Sequence, residues 1–272
     1  MAHEFDPGYG TEPFRTLCSE YPDEKVYPTS DFRTEWGPVF HRGRLDGTAR
    51  VLVLGQDPAQ HETIARRILV GEAGQRIQGF LTKLGIDRSY VMINTFLYSV
   101  HNQQGGAKHK DDPKIAAYRH GWLDAVFANS PIEAAVALGN LANNAWHIWK
   151  KTPRGQAVNV AYAHITHPTE PESSSKDNPT RLAAAIKAML ANWNSALTLL
   201  KPAVLHPDRE IPLRLYSTAF QAGDIVEIPE IDLPAGMPPW MRGSESWAVR
   251  SGATPELKRV TITVTIPTAF QP

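Results

Sequence analysis

The chain of 272 residues contains a single cysteine, Cys18. An internal disulfide, a cysteine-ligated iron–sulfur cluster and a zinc ribbon are therefore excluded. It also lacks an excess of either charge, with 28 Lys+Arg against 28 Asp+Glu. A protein that coats nucleic acid through a global positive charge is not indicated, while a local basic groove is compatible with neutrality. No apolar run approaches the ~20 residues of a membrane-spanning helix. The opening residues, Met1-Ala-His-Glu-Phe-Asp, lack the basic-then-apolar pattern of a secretory signal. These absences lead us to expect a cytoplasmic protein with no membrane partner.

What the chain does have is an ordinary hydrophobic content of 42%, enough for a folded core. Residues 51–58 read Val-Leu-Val-Leu-Gly-Gln-Asp-Pro. Four apolar residues suit a short parallel strand covered on both faces, and Gly55 ends it. Gln56 and Asp57 then fall beyond a strand's carboxyl end, where open α/β sheets hold their ligands. On local sequence alone, Asp57 equally fits a cap for the following helix. Further strands are expected at 90–94, 132–138 and 158–166. Helices are expected near 11–20 and at 73–84, 114–128, 140–150 and 179–200, the second with Ile77, Phe80, Leu81 and Leu84 at helical spacing. Residues 60–68 read as polar, with two arginines, and 101–111 and 170–178 as polar loops.

Strands alternating with helices predict an α/β fold: a three-layer αβα sandwich around a central four-stranded parallel sheet. Asn94 and His167 occupy strand ends equivalent to that of Asp57, so the three should converge on one edge of the sheet. His164 precedes His167 by three residues, a spacing that puts them on opposite faces of a strand and argues against a metal pair. His41, Arg42 and Arg44 lie in a Gly- and Pro-containing stretch read as a loop. They face either a phosphate backbone or solvent. Arg66, Arg67 and Arg76 pose the same alternative, with Arg66 and Arg67 favoured as DNA contacts because Asp57 is near in sequence.

Residues 1–200 are read as one α/β domain and 201–272 as an extension of different character. The extension is rich in proline, with strand-like stretches at 211–216, 225–228 and 259–266. A β-rich extension is expected, packing on the core or pairing two copies into a homodimer.

The strand-end segments together resemble the uracil-DNA glycosylase superfamily. Gly55-Gln-Asp-Pro is similar to the first motif of the family 1 enzymes, Gly-Gln-Asp-Pro-Tyr-His. Asn94-Thr-Phe-Leu is similar to their Asn-Thr-x-Leu strand end, and His167-Pro-Thr to the start of their His-Pro-Ser motif. Leu69-Val-Gly-Glu-Ala-Gly-Gln resembles the Phe-Val-Gly-x-Ala-Gly-Gln element of family 4, whose cluster cysteines are missing here. The likeness covers roughly residues 50–195.

The resemblance implies a DNA-repair hydrolase of base excision repair that cuts the N-glycosidic bond of uracil without a cofactor, leaving an abasic site. Asp57 would orient a water and stabilise positive charge on the sugar. His167 would donate to uracil O2, Asn94 would read the uracil edge and the backbone around Gln56 would contact the base. Leu69 falls where family 4 has a stacking Phe, with Phe80 as a possible substitute. Ala59 replaces the family 1 Tyr that walls off thymine's methyl, which implies a wider pocket admitting 5-substituted uracils or xanthine. The residues after His167 lack the family 1 leucine wedge, which implies single-stranded DNA as the preferred partner. A non-catalytic module that binds uracil or abasic sites is the alternative.

Overall fold

The computed structural model describes residues 8–243 and 246–271. The apolar run at 51–55 is the middle strand of the main sheet, buried at every position. In chain order the strands of that sheet are β1 (His41–Gly43), β2 (Val51–Gly55), β3 (Tyr90–Asn94), β4 (Ala134–Leu138) and β5 (Ala161–Ile165). They lie side by side in the order β1-β3-β2-β4-β5. β2 pairs in parallel with both β3 and β4, and β4 with β5. The helices of the same region are α1 (Phe14–Ser19), α2 (Gln60–Ala65), α3 (Glu72–Leu84), α4 (Gln103–Lys108), α5 (Pro113–Asn129), α6 (Gly139–Trp149), α7 (Pro153–Ala157), α8 (Glu170–Ser175) and α9 (Pro179–Leu200).

The strand period of two sorts β2 between two cores. Val51 and Val53 pack with Ile77, Leu81, Trp193 and Leu197 of α3 and α9. Leu52 and Leu54 pack on the other face with Trp122, Leu123, Trp146 and Trp149 of α5 and α6. The result is the αβα sandwich expected. No helix among the described residues is long and apolar enough to cross a membrane.

Three local expectations are corrected. The sheet has a fifth strand, β1, antiparallel to β3, where a loop was expected. Its signal was hidden because Arg42 occupies a central position, and because Gly43 (φ +95°) passes so close to β3 that a Cβ there would meet the Tyr90 carbonyl at 2.2 Å. His41, Arg42 and Arg44 accordingly face neither solvent nor a phosphate backbone: all three are buried. The two polar stretches read as loops, 101–111 and 170–178, each contain one helical turn or two, as α4 and α8, and the polar stretch 60–68 contains α2.

The extension is not β-rich. Among its described residues the only strands are β6 (Ala248–Arg250) and β7 (Ile262–Val264), paired antiparallel around α10 (Pro255–Val260). Residues 211–216 and 225–228 are irregular. Pro212 offers no N–H for a ladder, and this segment docks by isolated anchors. Tyr216 is buried against Trp193, with Asn194 bridging its backbone N–H and C=O at 2.7 and 3.0 Å. Asp208 accepts the amides of Asp87, Arg88 and Ser89 at 2.7–3.0 Å. Asp232 reaches the interior and pairs with both Arg42 and Arg44.

Candidate active site

The carboxyl edge of the sheet gathers the strand-end residues. Gly55 pairs with Asn94 across β2 and β3. The backbone stays zipped just beyond, where the Thr95 and Phe96 amides donate to the Gly55 and Gln56 carbonyls at 2.9 and 2.8 Å. A Cβ at Gly55 would meet Asn94 Oδ1 at 2.2 Å, so any larger residue would push the Asn94 amide aside. Gly139, at the start of α6, is in the left-handed region (φ +77°). A Cβ on it would lie 2.8 Å from Gln56 Nε2 and 3.2 Å from the His167 Cβ. This glycine is where the β2 turn and the His167 loop close on one another.

Asp57, Ala59, Leu69, His167 and Thr169 line one cavity of about 290 Å³, together with His61, Glu62, Gly71 and Ser246. The Leu69–Gln75 element is shaped by Gly74, whose missing side chain admits the Leu69 carbonyl at 1.5 Å from where a Cβ would sit. Leu69 is held at φ 53° by this turn. His167 also borders a larger trough of about 640 Å³ with Gln56, Asn140, His164 and Thr166. His164 and His167 thus border the same trough; β5 ends at Ile165, and His167 lies beyond it, so the opposed-face expectation does not apply. Among the described residues no cluster of His, Cys, Asp or Glu is arranged to hold a metal ion.

Asp57 Oδ2 accepts the Val100 amide at 3.0 Å. Burial raises its pKa to about 7 against the pull of that hydrogen bond, and the neighbouring Glu62 pushes the same way. Glu62 itself is raised by burial, while its carboxylate accepts the Ala59 amide at 2.9 Å. Asp57 is therefore a carboxyl balanced between its two forms near neutrality, able to take a proton from water. Burial depresses the His167 pKa to about 4. Its Nδ1 accepts from the Thr169 amide at 3.3 Å, so the ring is neutral with its proton on Nε2. A neutral imidazole donor beside a carboxylate suits a reaction that builds negative charge on a leaving group and positive charge on a sugar.

The family model for the uracil DNA glycosylase superfamily matches residues 42–190, more than half of the chain. The chain belongs to the uracil DNA glycosylase superfamily. None of the curated proteins matches it. The superfamily's members are DNA glycosylases, which sets the expectation of a hydrolase acting on DNA. The matched span stops before the extension, so Ser246 in the cavity wall and the segment behind it lie outside the matched residues.

Not every expected residue of the superfamily site sits in the cavity. Asn94 is not in its lining: the amide lies over Gly55, and the residue borders a separate small internal void with Tyr27, Phe96 and Arg119. Phe80 does not reach the cavity and stacks edge-on against Trp193 in the core, 5.7 Å between ring centres. Arg66 ties down the preceding loop by donating to the Trp36 carbonyl at 2.8 Å and to that of Pro38. Arg67 lies over the Tyr9 ring. Arg76 is buried, bonded to the Pro168 carbonyl and to Glu172 at 2.8 and 3.1 Å, and so braces the His167 loop from beneath.

Sequence reasoning gave no role to Glu62, His61, Gly139 or Val100. Glu62 had a signal, since a Glu three residues into a helix that reaches back to the N-cap amide is half of a capping box. It was silent because Ala59 cannot supply the other half.

Proposed function

We propose that the chain is a monofunctional DNA glycosylase that hydrolyses the N-glycosidic bond of uracil in DNA, and of some larger bases, leaving an abasic site. One observation carries this reading: the near-neutral carboxyl of Asp57 and the neutral ring of His167 share a cavity with Ala59 at the carboxyl edge of the sheet. Ionised Asp57 holds a water against C1′ and stabilises the oxocarbenium-like sugar as the bond to N1 lengthens. The electron pair of that bond goes to the base. His167 Nε2–H donates to O2, where the charge accumulates. Water adds to C1′ and gives its proton to Asp57, and solvent protonates the departing base. The substrate nucleotide enters flipped or from a single strand, because the sugar–base bond of a stacked, paired nucleotide is out of reach of groups inside a cavity. Leu69 supplies an aliphatic wall, and Asn94, behind Gly55, reads the base edge once the pocket is filled.

The test is release of free base from oligonucleotides bearing uracil, 5-hydroxymethyluracil or xanthine, with deoxyuridine as the nucleoside control. Uracil release from the oligonucleotide, lost in Asp57→Asn while oligonucleotide binding persists, is the expected outcome. Binding without release by the wild-type chain would replace the enzyme with a reader of uracil or abasic sites. Equal turnover of deoxyuridine would move the substrate to free nucleosides.

A further inference from the structure

The extension reaches the site through one short element. Ser246 lines the cavity, the Trp247 ring meets His61 edge-on at 4.8 Å, and the Ala248 amide donates to His61 Nε2 at 3.4 Å. Two residues on, Arg250 closes β6 opposite Ile262. The far side of the same element is anchored by Arg33. This buried guanidinium donates from Nε to the Arg259 carbonyl at 3.1 Å, from Nη1 to Ser99 Oγ at 3.1 Å and to the Val100 carbonyl, and from Nη2 to the His101 carbonyl at 3.2 Å. Val100 is the residue whose amide holds Asp57. The path Asp57–Val100–Arg33–Arg259 is thus a continuous run of hydrogen bonds from the site to α10.

On this element three cations point outward. Arg250, Lys258 and Arg259 are exposed, and none is ion-paired among the described residues; Glu256, in the first turn of α10, is the nearby carboxylate. Arg250 follows Ser246 of the cavity wall by four residues, near enough for its charge to be felt at both Asp57 and Arg33. Exposed apolar side chains, Val249, Leu257 and Val260, lie between the cations. Unpaired cations interleaved with apolar side chains fit a nucleic-acid strand, with the cations on phosphates and the apolar groups against sugars and bases.

We propose that the β6–α10–β7 element is a DNA grip outside the superfamily core, in which Arg250, Lys258 and Arg259 bind backbone phosphates flanking the nucleotide held over Asp57. The proposal rests on the glycosylase reading for the position of the nucleotide, and on charge and geometry for the grip. The element takes the place of the polar contacts that Arg66 and Arg76 cannot make, since both are committed to the protein. It also explains why an electrically neutral chain can hold a polyanion: the needed charge is local.

The test separates the two readings by using an unmodified oligonucleotide. Binding of a short single-stranded thymidine oligonucleotide is followed by fluorescence anisotropy across a salt series, for the wild-type chain and for Arg250→Gln/Lys258→Gln/Arg259→Gln. A matched control, Lys151→Gln/Arg154→Gln/Lys187→Gln, removes the same charge elsewhere. Each phosphate contact on a single strand contributes about −0.7 to the slope of log K against log salt, so the triple variant should lose about 2 from that slope and bind about tenfold more weakly or worse. The control should keep the wild-type slope. Arg250→Lys/Lys258→Arg/Arg259→Lys should keep it as well, which separates charge from fold. A slope unchanged in the triple variant, or equal losses in variant and control, overturns the grip. Loss of the slope in a chain that releases no base leaves the grip standing and removes the glycosylase reading. Base release with an unchanged slope does the reverse.

Discussion

Arg42 and Asp232, 190 residues apart in the chain, meet at 3.2 Å with neither side chain exposed. Arg44 shares the same carboxylate, and Tyr90 donates its hydroxyl to it. Burial and Asp232 push the Tyr90 pKa far up, which keeps that hydroxyl a donor. Two cations and one anion below the surface are tolerable only as a set. Asp232→Asn keeps the shape and leaves two guanidiniums without an anion, and should cost about 3–5 kcal/mol. Urea denaturation of the full chain measures this, and a loss under about 1 kcal/mol would show the network to be dispensable. The same pairing means that the extension is stitched to the sheet through β1.

The raised pKa of Asp57 makes both activity and stability depend on pH, in opposite senses. Its pKa is about 7 in the fold against an ordinary 3.8. The folded state therefore holds a proton that the unfolded state releases between those values, and Asp57 weakens the fold as pH rises from about 4 to 7. Catalysis needs the ionised form. Single-turnover base release should climb through pH 7 and level off above it, with no second loss until His167 is protonated near pH 4. Asp57→Asn should abolish the climb and, at pH 8, stabilise the fold by about 1–2 kcal/mol once partial solvation of the cavity is discounted. A flat pH–rate profile from 5 to 9 would remove Asp57 as the titrating group.

Much of this was legible from sequence, and the reasons are uneven. The run at 51–54 announced a doubly covered strand because all four residues are apolar, and β3, β4 and β5 followed the same logic. Helix α9 was readable at its start from Pro179 at the first position, behind Asn178, whose side chain accepts the Arg181 amide. β1 was not, since a buried strand holding His and Arg looks like a loop until the distant Asp232 is known. The extension misled because Thr/Val alternation at 261–264 and the stretch at 225–228 look alike, while only the first finds a partner strand. At the site, Gln56, Asp57 and His167 lie just beyond the ends of β2 and β5, where strand-end logic put them, while Ala59 stood out only through the resemblance. Closeness to Asp57 in sequence favours Arg66 and Arg67 as DNA contacts, yet it cannot show that the Arg66 guanidinium already donates to the Trp36 and Pro38 carbonyls.

Ala59 borders the cavity beside Asp57, and its small side chain leaves the wall open where an aromatic ring would stand. Substituting Ala59→Tyr should narrow the range of bases more than it slows uracil release. Release of 5-hydroxymethyluracil should fall about 10–100-fold relative to uracil, the scale on which a pocket rejects an added group. The comparison is a ratio of kcat/KM for the two bases in one oligonucleotide, so a general loss of folded enzyme cancels. An unchanged ratio would mean that another side chain, with Leu69 the nearest candidate in the lining, sets the limit.

On the proposed glycosylase reading, the loop after His167 sets how costly duplex DNA is as a substrate. Here it turns into α8, whose Pro171 is buried and whose Glu172 is held by Arg76. Neither is free to enter a base stack, and no apolar side chain of α8 projects into solvent. Extruding a paired base costs a few kcal/mol, less at a mismatch and least where no partner strand exists. With no wedge in this loop to offset that cost, single-turnover release should be fastest from single-stranded DNA, slower from a uracil–guanine mismatch and slowest from a uracil–adenine pair. About 10–100-fold should separate the extremes, since each 1.4 kcal/mol retained in the barrier is a factor of ten. Equal or faster release from the uracil–adenine duplex would show that another part of the chain, with the exposed Leu257 of α10 the first to test, does the unstacking.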